Sequence, residues 1–237
     1  MTPFDTFSEE IRDYVWSEYP REACGVIAGG RFIPVKNCAK NPFFDFRMPD
    51  DTMLKYDVEA VVHSHPDGPE GPSAADMQGQ IATAVPWGIC IPFGSGHISK
   101  PYWWGDMLTP PPLIGREFRH GPSGSDGKGD CYALIRDWYR QEHGVMLPDF
   151  PRSDSWWEYG DNLYENNFRA TGFKEIAASE ARDGDVFFMK VLSSQVNHAG
   201  ILTGNGQLIL HHMSGRLSRQ EPLGRWGKFI QKWVRRE

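Results

Sequence analysis

The chain has 237 residues, of which 40% are hydrophobic and 24% are charged, and its formal net charge is −6. These values are ordinary for a globular protein of one large or two small domains, and we expect no nucleic-acid partner for so acidic a chain. The four cysteines form no C-x-x-C pair, which argues against a disulfide framework, a zinc ribbon and a thioredoxin-like motif.

The first half of the chain reads as a mixture of short helices and strands. Residues 5–18 form an amphipathic pattern that predicts a helix, and they do not resemble a secretory signal. Strands are predicted over 23–30, 31–37, 57–65 and 87–93, and a helix capped by Ser73 over 73–84. No apolar run reaches the roughly 18–20 residues that span a bilayer, so we expect no transmembrane segment.

Three consecutive prolines at 110–112 predict an extended connector between two domains, 1–109 and 113–237. After a Gly-rich loop, residues 130–143 predict a helix that ends at Gly144. Strands are predicted over 183–191 and 197–213. We interpret the locally basic stretch 215–237 as a solvated amphipathic tail, the alternative being a docking element for an acidic partner. The whole pattern indicates an α+β protein.

A cluster of metal-ligand residue types lies in the stretch VVHSHPDGPEGPSAAD. His63 and His65 are two apart on a predicted strand, so both can face one side. Asp76 falls in the first turn of the helix capped by Ser73, within reach of the end of that strand. Two imidazoles and one carboxylate predict a zinc site with a fourth position open for water. Glu22 is the candidate general base, and Ser73 the candidate donor to the oxyanion.

Glu22 is followed by the run His-Ser-His-Pro and then by Ser-x-x-Asp. This ordered set resembles the JAMM (MPN+) family of zinc metalloisopeptidases, over residues 5–108. The resemblance implies an α/β sandwich that hydrolyses amide or isopeptide bonds. It also implies Glu22 as acid/base, His63, His65 and Asp76 as zinc ligands, and Ser73 as a residue that assists at the oxyanion.

A second set of reactive residues lies in the other half. Cys131 opens a predicted helix after a Gly-rich loop, where the helix N-terminus stabilises a thiolate. Its candidate bases are His198, His211 and His212. If Asn205-Gly206 forms a type I′ turn, Gly200 pairs with His211, and His198 and His211 share one face as diagonal neighbours. His198 is then the base and His211 orients it, although the choice of His211 over His212 stays open.

This half, residues 113–237, resembles the NlpC-type cysteine peptidases, which are papain-like and cut peptidoglycan stem peptides, typically between D-glutamate and diaminopimelate. The matching parts are Asp-Cys at the helix start, the stretch NHAGILTGNG and the following histidine. The resemblance implies Cys131 as nucleophile, His198 as base and His211 as the third polar residue. One departure concerns substrate preference, since Tyr132-Ala133 stands where many members have Ser-Gly.

The order of the two halves resembles the tail assembly protein K family of lambda-like phages and related prophages. The resemblance implies other tail-tip proteins as partners, peptidoglycan stem peptides as substrate, and a location in the virion tail tip or in the host cytoplasm during assembly. Three functions are therefore considered: a peptidoglycan endopeptidase that uses Cys131, a processing protease whose zinc half cuts a partner tail protein, and a structural tip protein with one or both sites silent.

Overall fold

The computed structural model describes residues 1–237, and the chain divides into two compact units. Unit 1 comprises Met1–Pro110 together with Gly124–Asp126, and unit 2 comprises Pro111–Ser123 together with Gly127–Glu237. Each unit has its own sheet and its own helices, so the fold is mixed α/β as predicted. No helix combines the length and the apolar character that crossing a membrane requires.

Unit 1 is built on a five-stranded sheet in the order β2-β1-β3-β4-β5. Its elements are α1 (Ser8–Glu18), β1 (Cys24–Ala28), β2 (Arg31–Val35), α2 (Thr52–Lys55), β3 (Val58–Ser64), α3 (Ala74–Thr83), β4 (Trp87–Cys90) and β5 (Tyr102–Trp104). Strands β3 and β4 are parallel and the other neighbours antiparallel. A parallel pair requires a crossover, and α3 provides it, which places the start of this helix beside the end of β3.

Alternation along the strands of unit 1 fills two apolar clusters. Ile27 and Val62 belong to the cluster that receives Ile11 from α1, whereas Val26 and Val61 belong to the other. Successive strand residues point to opposite faces, so a fully apolar strand buries both. The β1–β2 turn is formed by Gly29 and Gly30, with φ of 57° and 67°. These positive φ values suit glycine at the two centres of a tight hairpin.

Unit 2 is built on a six-stranded sheet in the order β10-β9-β8-β7-β11-β6, with antiparallel neighbours throughout. Its elements are α4 (Cys131–His143), α5 (Leu163–Asn167), β6 (Phe173–Ile176), β7 (Val186–Met189), β8 (His198–Thr203), β9 (Leu208–His211), β10 (Arg219–Pro222) and β11 (Ile230–Arg236). Helix α4 packs on the sheet through Ile135 and Tyr139, in one core with Val186 and Ile201.

The predicted hairpin of unit 2 is confirmed in its register. Asn205 and Gly206 have φ of 58° and 78°, the conformation of a type I′ turn. Asp183 accepts hydrogen bonds from the backbone N–H groups of both turn residues, at 2.8 and 2.7 Å. Gly200 pairs with His211 as predicted.

The interpretation of the C-terminal stretch as a solvated tail is wrong. Strand β11 lies between β7 and β6, and Trp226 and Trp233 are buried in the second apolar cluster of unit 2. Trp233 and Val234 are consecutive in β11 and both buried, in different apolar clusters of unit 2, so the strand contributes to both faces of the sheet. Basic residues interspersed among apolar ones are typical of an amphipathic tail, but they also occur in a strand that lies between two others.

Candidate active sites

The three predicted metal ligands converge in unit 1. His63 lies in β3, His65 directly follows that strand, and Asp76 lies in the first turn of α3. The Nε2 atoms of His63 and His65 are 3.0 Å apart. Asp76 Oδ1 is 3.3 Å from His63 Nε2, and Asp76 Oδ2 is 3.4 Å from His65 Nε2. All three side chains are buried, and their ligand atoms lie within 4.8 Å of one another.

The protonation of these groups fits a metal ion. His65 Nδ1 lies 2.9 Å from the carbonyl oxygen of Pro69. A carbonyl only accepts, so Nδ1 carries the proton and Nε2 keeps its lone pair for a ligand. Burial lowers the pKa of His63 and favours its neutral, ligating form. Burial opposes ionisation of Asp76, but His63 and His65 outweigh it and hold the pKa of this carboxyl far below its usual range.

Glu22 and Ser73 lie beside the cluster. Glu22 lies two residues before the start of β1 and is buried. Burial raises its pKa to about 7, with further contributions from Asp76 and Asp45, while His65 lowers it. Ser73 is the N-cap of α3, as predicted: its Oγ accepts from Asp76 N–H at 3.1 Å, and its own N–H donates to Asp76 Oδ2 at 2.7 Å. The cap therefore fixes the Asp76 carboxylate as well as the helix start.

Cys131 is the first residue of α4, as predicted, with Asp130 as N-cap. Its thiol lies 3.1 Å from the hydroxyl of Tyr164. Burial raises the pKa of Cys131 to about 11, Asp130 adds to this, and the Tyr164 hydrogen bond opposes it. Burial therefore outweighs the stabilisation expected at a helix N-terminus, and the resting group is a neutral thiol.

His198 and His211 meet as the hairpin predicts. His198 Nε2 is 3.1 Å from His211 Nδ1, and His211 Nε2 is 2.8 Å from Glu221 Oε1. Burial, with His211 and His212 nearby, lowers the pKa of His198 to about 3, so its imidazole is neutral. His212 packs edge-on against Phe118 at 5.2 Å, and neither of its ring nitrogens has a hydrogen-bond partner.

Cys131 and His198 line one cavity of about 500 Å³. Its walls are mostly aromatic and aliphatic, and they include Trp156 and Trp157. His120 lines this cavity too, and its Nε2 lies 2.9 Å from the Arg152 carbonyl oxygen. The cavity is large enough to hold several residues of a peptide.

Sequence reasoning missed three parts of this site. Tyr164 lies in the short helix α5 and Glu221 in the short strand β10, and neither element has a periodic signal. Arg152 is buried between two carboxylates, with its Nε 2.7 Å from Asp130 Oδ2 and its Nη1 2.7 Å from Asp149 Oδ1. These ion pairs hold Asp130, the N-cap of α4, in place. They also ensure that no unpaired charge is buried near the Cys131 thiol.

Comparisons with known proteins agree with this architecture. Residues 115–235 match the NlpC/P60 family, and residues 6–102 match the prokaryotic homologs of the JAB domain. Tail tip assembly protein K of Escherichia phage N15 is 35% identical over 96% of this chain and 93% of its own length. The chain belongs to the tail tip assembly protein K family. Protein K of Escherichia phage lambda is 38% identical over 77% of this chain and 80% of its own length.

Two solved structures that resemble part of the chain are described as NlpC/P60 proteins. One is an NLP/P60-family protein similar to a lipoprotein from Staphylococcus aureus subsp. aureus Mu50, 20% identical, with a TM-score of 0.36 over 52% of this chain and 37% of that one. Another is the NlpC/p60 domain of the peptidoglycan hydrolase SagA, 19% identical, with a TM-score of 0.34 over 52% of this chain and 89% of that one.

Proposed function

We propose that the protein is a tail-tip-associated peptidase whose Cys131 site, in the domain 113–237, cuts peptidoglycan stem peptides. The observation that carries this proposal is that Cys131 shares a cavity with His198, whose far nitrogen is hydrogen-bonded to His211. A nucleophile, a base and a group that orients the base are the three parts that acyl transfer through cysteine needs.

The proposed reaction starts from the neutral pair. His198 Nδ1, the ring nitrogen not bonded to His211, accepts the Cys131 proton as the sulfur attacks the scissile carbonyl. His211 keeps the His198 ring oriented and stabilises its positive charge. The same imidazolium then gives its proton to the leaving amine, and water releases the acyl group from sulfur. The backbone N–H groups in the first turn of α4, other than that of Ala133, which Asp130 caps, would stabilise the developing negative charge at the carbonyl oxygen.

The cluster in the domain 1–109 supports a second activity, and we propose zinc as its metal, held by His63, His65 and Asp76. When bound, such an ion activates water and polarises a carbonyl, which serves hydrolysis of amide or isopeptide bonds. Glu22, with a pKa of about 7, is able to take up and return a proton near neutral pH. The Ser73 oxygen accepts from Asp76 N–H, so its own O–H stays available to a substrate oxygen.

The relatives are named tail tip assembly proteins, and we propose other tail-tip proteins as partners of this chain. It would act in the virion tail tip, or in the host cytoplasm during assembly. The alternative is a structural tip protein whose zinc site processes a partner tail protein or is silent.

The test is digestion of purified peptidoglycan with and without a zinc chelator, with fragments identified by mass spectrometry. We expect stem-peptide cleavage that survives the chelator, is lost in Cys131→Ala and persists in Cys38→Ala, which removes an exposed thiol. Absence of cleavage under both conditions would contradict the stem-peptide proposal. Co-expressed tail proteins, incubated with the wild type and with His63→Ala, then test the zinc site for processing activity.

A further inference from the structure

We propose that Glu221 is a positioning residue that sets the proton arrangement of the histidine pair, so that the Cys131 site is a four-membered relay from Cys131 through His198 and His211 to Glu221. This inference rests on the proposed cysteine peptidase function and adds a residue that neither the sequence motif nor the family resemblance contains. Glu221 touches no substrate in this proposal; it acts through His211.

The sheet register places Glu221 on the histidine face. Strand β10 pairs with β9 so that Arg219 lies opposite His211 and Glu221 opposite Ile209. Residues two apart in a strand share a face, so Glu221 is the diagonal neighbour of His211. The Glu221 Oε1 to His211 Nε2 distance of 2.8 Å is that of a strong hydrogen bond. His211 is 2% exposed, and Trp226 covers it edge-on at 5.0 Å.

The hydrogen-bond chain then has one consistent arrangement. A carboxylate only accepts, so the Nε2 of His211 carries a proton. Burial lowers the pKa of His211, although Glu221 opposes this, so the ring is neutral and its Nδ1 holds a lone pair. The Nε2 of His198, 3.1 Å away, must therefore be the donor. The remaining nitrogen, His198 Nδ1, is left with the lone pair that a base needs.

Glu221 also supplies the negative charge that balances the reaction. When the Cys131 proton moves to His198, a positive charge appears in a buried place, where it is unfavourable without a partner. The nearest carboxylate along the chain of hydrogen bonds is Glu221. The other charged or titratable groups that face this line are Asp130, Arg152 and Tyr164 at Cys131, His212 at His198, Arg216 and Arg219 at His211, and Arg225 at Glu221. Asp130 is already paired with Arg152 at 2.7 Å and the arginines carry positive charge, so none of these groups replaces Glu221.

The test is the rate at which iodoacetamide alkylates Cys131 from pH 6 to 12, a range that includes the raised pKa of this thiol, followed by peptide mass spectrometry. This rate needs no knowledge of the substrate. The exposed Cys38 is the internal reference in every sample. In Glu221→Gln we expect the rate at pH 7 to fall about tenfold and the midpoint of the profile to rise by about one pH unit, since the base loses its balancing charge. Glu221→Asp should recover part of both.

The control is Glu175→Gln, which removes a half-exposed carboxylate of the same unit and should change neither rate nor midpoint. Nitrogen NMR of the imidazoles adds a direct readout, with the His211 proton expected on Nε2 in the wild type. If His198→Ala slows alkylation but Glu221→Gln changes neither rate nor midpoint, the role of Glu221 is overturned and the base role of His198 stands. If His198→Ala has no effect, the proposed base and the relay fall together.

Discussion

The thiol of Cys131 is subject to two opposing influences, since burial raises its pKa while the Tyr164 hydroxyl, at 3.1 Å, lowers it. Tyr164→Phe keeps the ring, which packs on Phe188 at 5.1 Å, and removes only the hydrogen bond. We expect Cys131 alkylation at pH 7 to slow by about 3- to 10-fold, because one such bond to a charged group shifts the thiol pKa by up to about one unit.

Tyr159→Phe is the matched control for this substitution, because Tyr159 is 80% exposed and the change should leave the rate unaltered. A faster reaction in Tyr164→Phe would contradict the prediction, and would mean that the hydroxyl restrains the thiol rather than stabilising its anion.

His212 lies outside the proposed relay, and we expect it to affect acid stability rather than reactivity. Burial lowers the pKa of this imidazole to about 4, so between pH 6.5 and 4 the unfolded chain binds a proton that the folded chain does not. Stability is therefore complete above the unfolded pKa and is lost as pH falls through this window. His212→Phe removes this titrating group, so the variant should not show this loss. We expect the free energy of unfolding of the variant, relative to that of the wild type, to be about 1–2 kcal/mol higher at pH 5 than at pH 8.

Urea unfolding at the two pH values measures this difference, and Cys131 alkylation should stay at the wild-type rate. If His212→Phe lost Cys131 alkylation while His211→Phe kept it, His212 rather than His211 would be the relay residue next to His198. The structure favours His211, whose Nδ1 contacts His198, over His212, whose ring packs edge-on against Phe118.

The site residues that sequence reasoning found lie at positions with a recognisable local signal, such as a helix start or a tight turn. Ser73 precedes a helix, Cys131 begins one, and His211 is reached by counting across a two-residue turn. Tyr164 and Glu221 have no such mark, because their contacts depend on how long connections return to the sheet. A hydroxyl or carboxylate in an irregular segment looks like any solvated group until the tertiary fold encloses it.

At the scale of elements, the β8–β9 hairpin holds His198 and His211 together, and Gly200 permits this. A Cβ at Gly200 would lie 2.5 Å from Phe187 Cζ and 2.8 Å from His211 Cβ. Gly200→Ala must therefore push the strands apart. We expect it to destabilise the protein by about 1–3 kcal/mol and to slow Cys131 alkylation several-fold, since the displaced strand carries one histidine of the pair.

Gly206→Ala is the companion variant, because a Cβ there meets nothing within 4 Å although φ is 78°. Because the backbone at this position is left-handed, we expect Gly206→Ala to destabilise the protein by about 1–2 kcal/mol. The turn is remote from the histidines, so the Cys131 alkylation rate should not change. Urea unfolding together with the alkylation rate separates the two effects. Equal rates in both variants would contradict the role assigned to Gly200.

Local patterns predicted the elements with strong signals and failed on the rest. The I′ turn gave the β8–β9 register because the count depends on neighbouring residues alone. Strand β11 was misread because its place between β7 and β6 is decided by distant partners. Its mixture of basic and apolar residues fits a surface tail equally well, and only the fold shows that Trp233 and Val234 are buried.

At the scale of the whole molecule, each unit contains a complete set of reactive groups within its own core. His63, His65 and Asp76 lie in unit 1, and Cys131, His198 and His211 in unit 2. Neither set takes a residue from the other. The two proposed activities are therefore expected to respond separately to metal and to substitution.

Zinc binding gives the sharpest test of this separation. We expect one zinc per chain by elemental mass spectrometry after dialysis, lost in His63→Ala and in Asp76→Asn, and retained in Cys131→Ala. The last variant matters because a thiol beside imidazoles is itself able to bind zinc.

A ligand that binds only the folded state stabilises it, by about 2.7 kcal/mol at one hundred times its dissociation constant. A chelator should therefore lower the melting temperature of the wild type but not that of His63→Ala, and leave the Cys131 alkylation rate unchanged in both. Two results would contradict this: loss of bound zinc in Cys131→Ala, or a Cys131 alkylation rate that changes when the chelator is added. Either would place the metal at the thiol and leave the histidine pair of unit 1 without its proposed role.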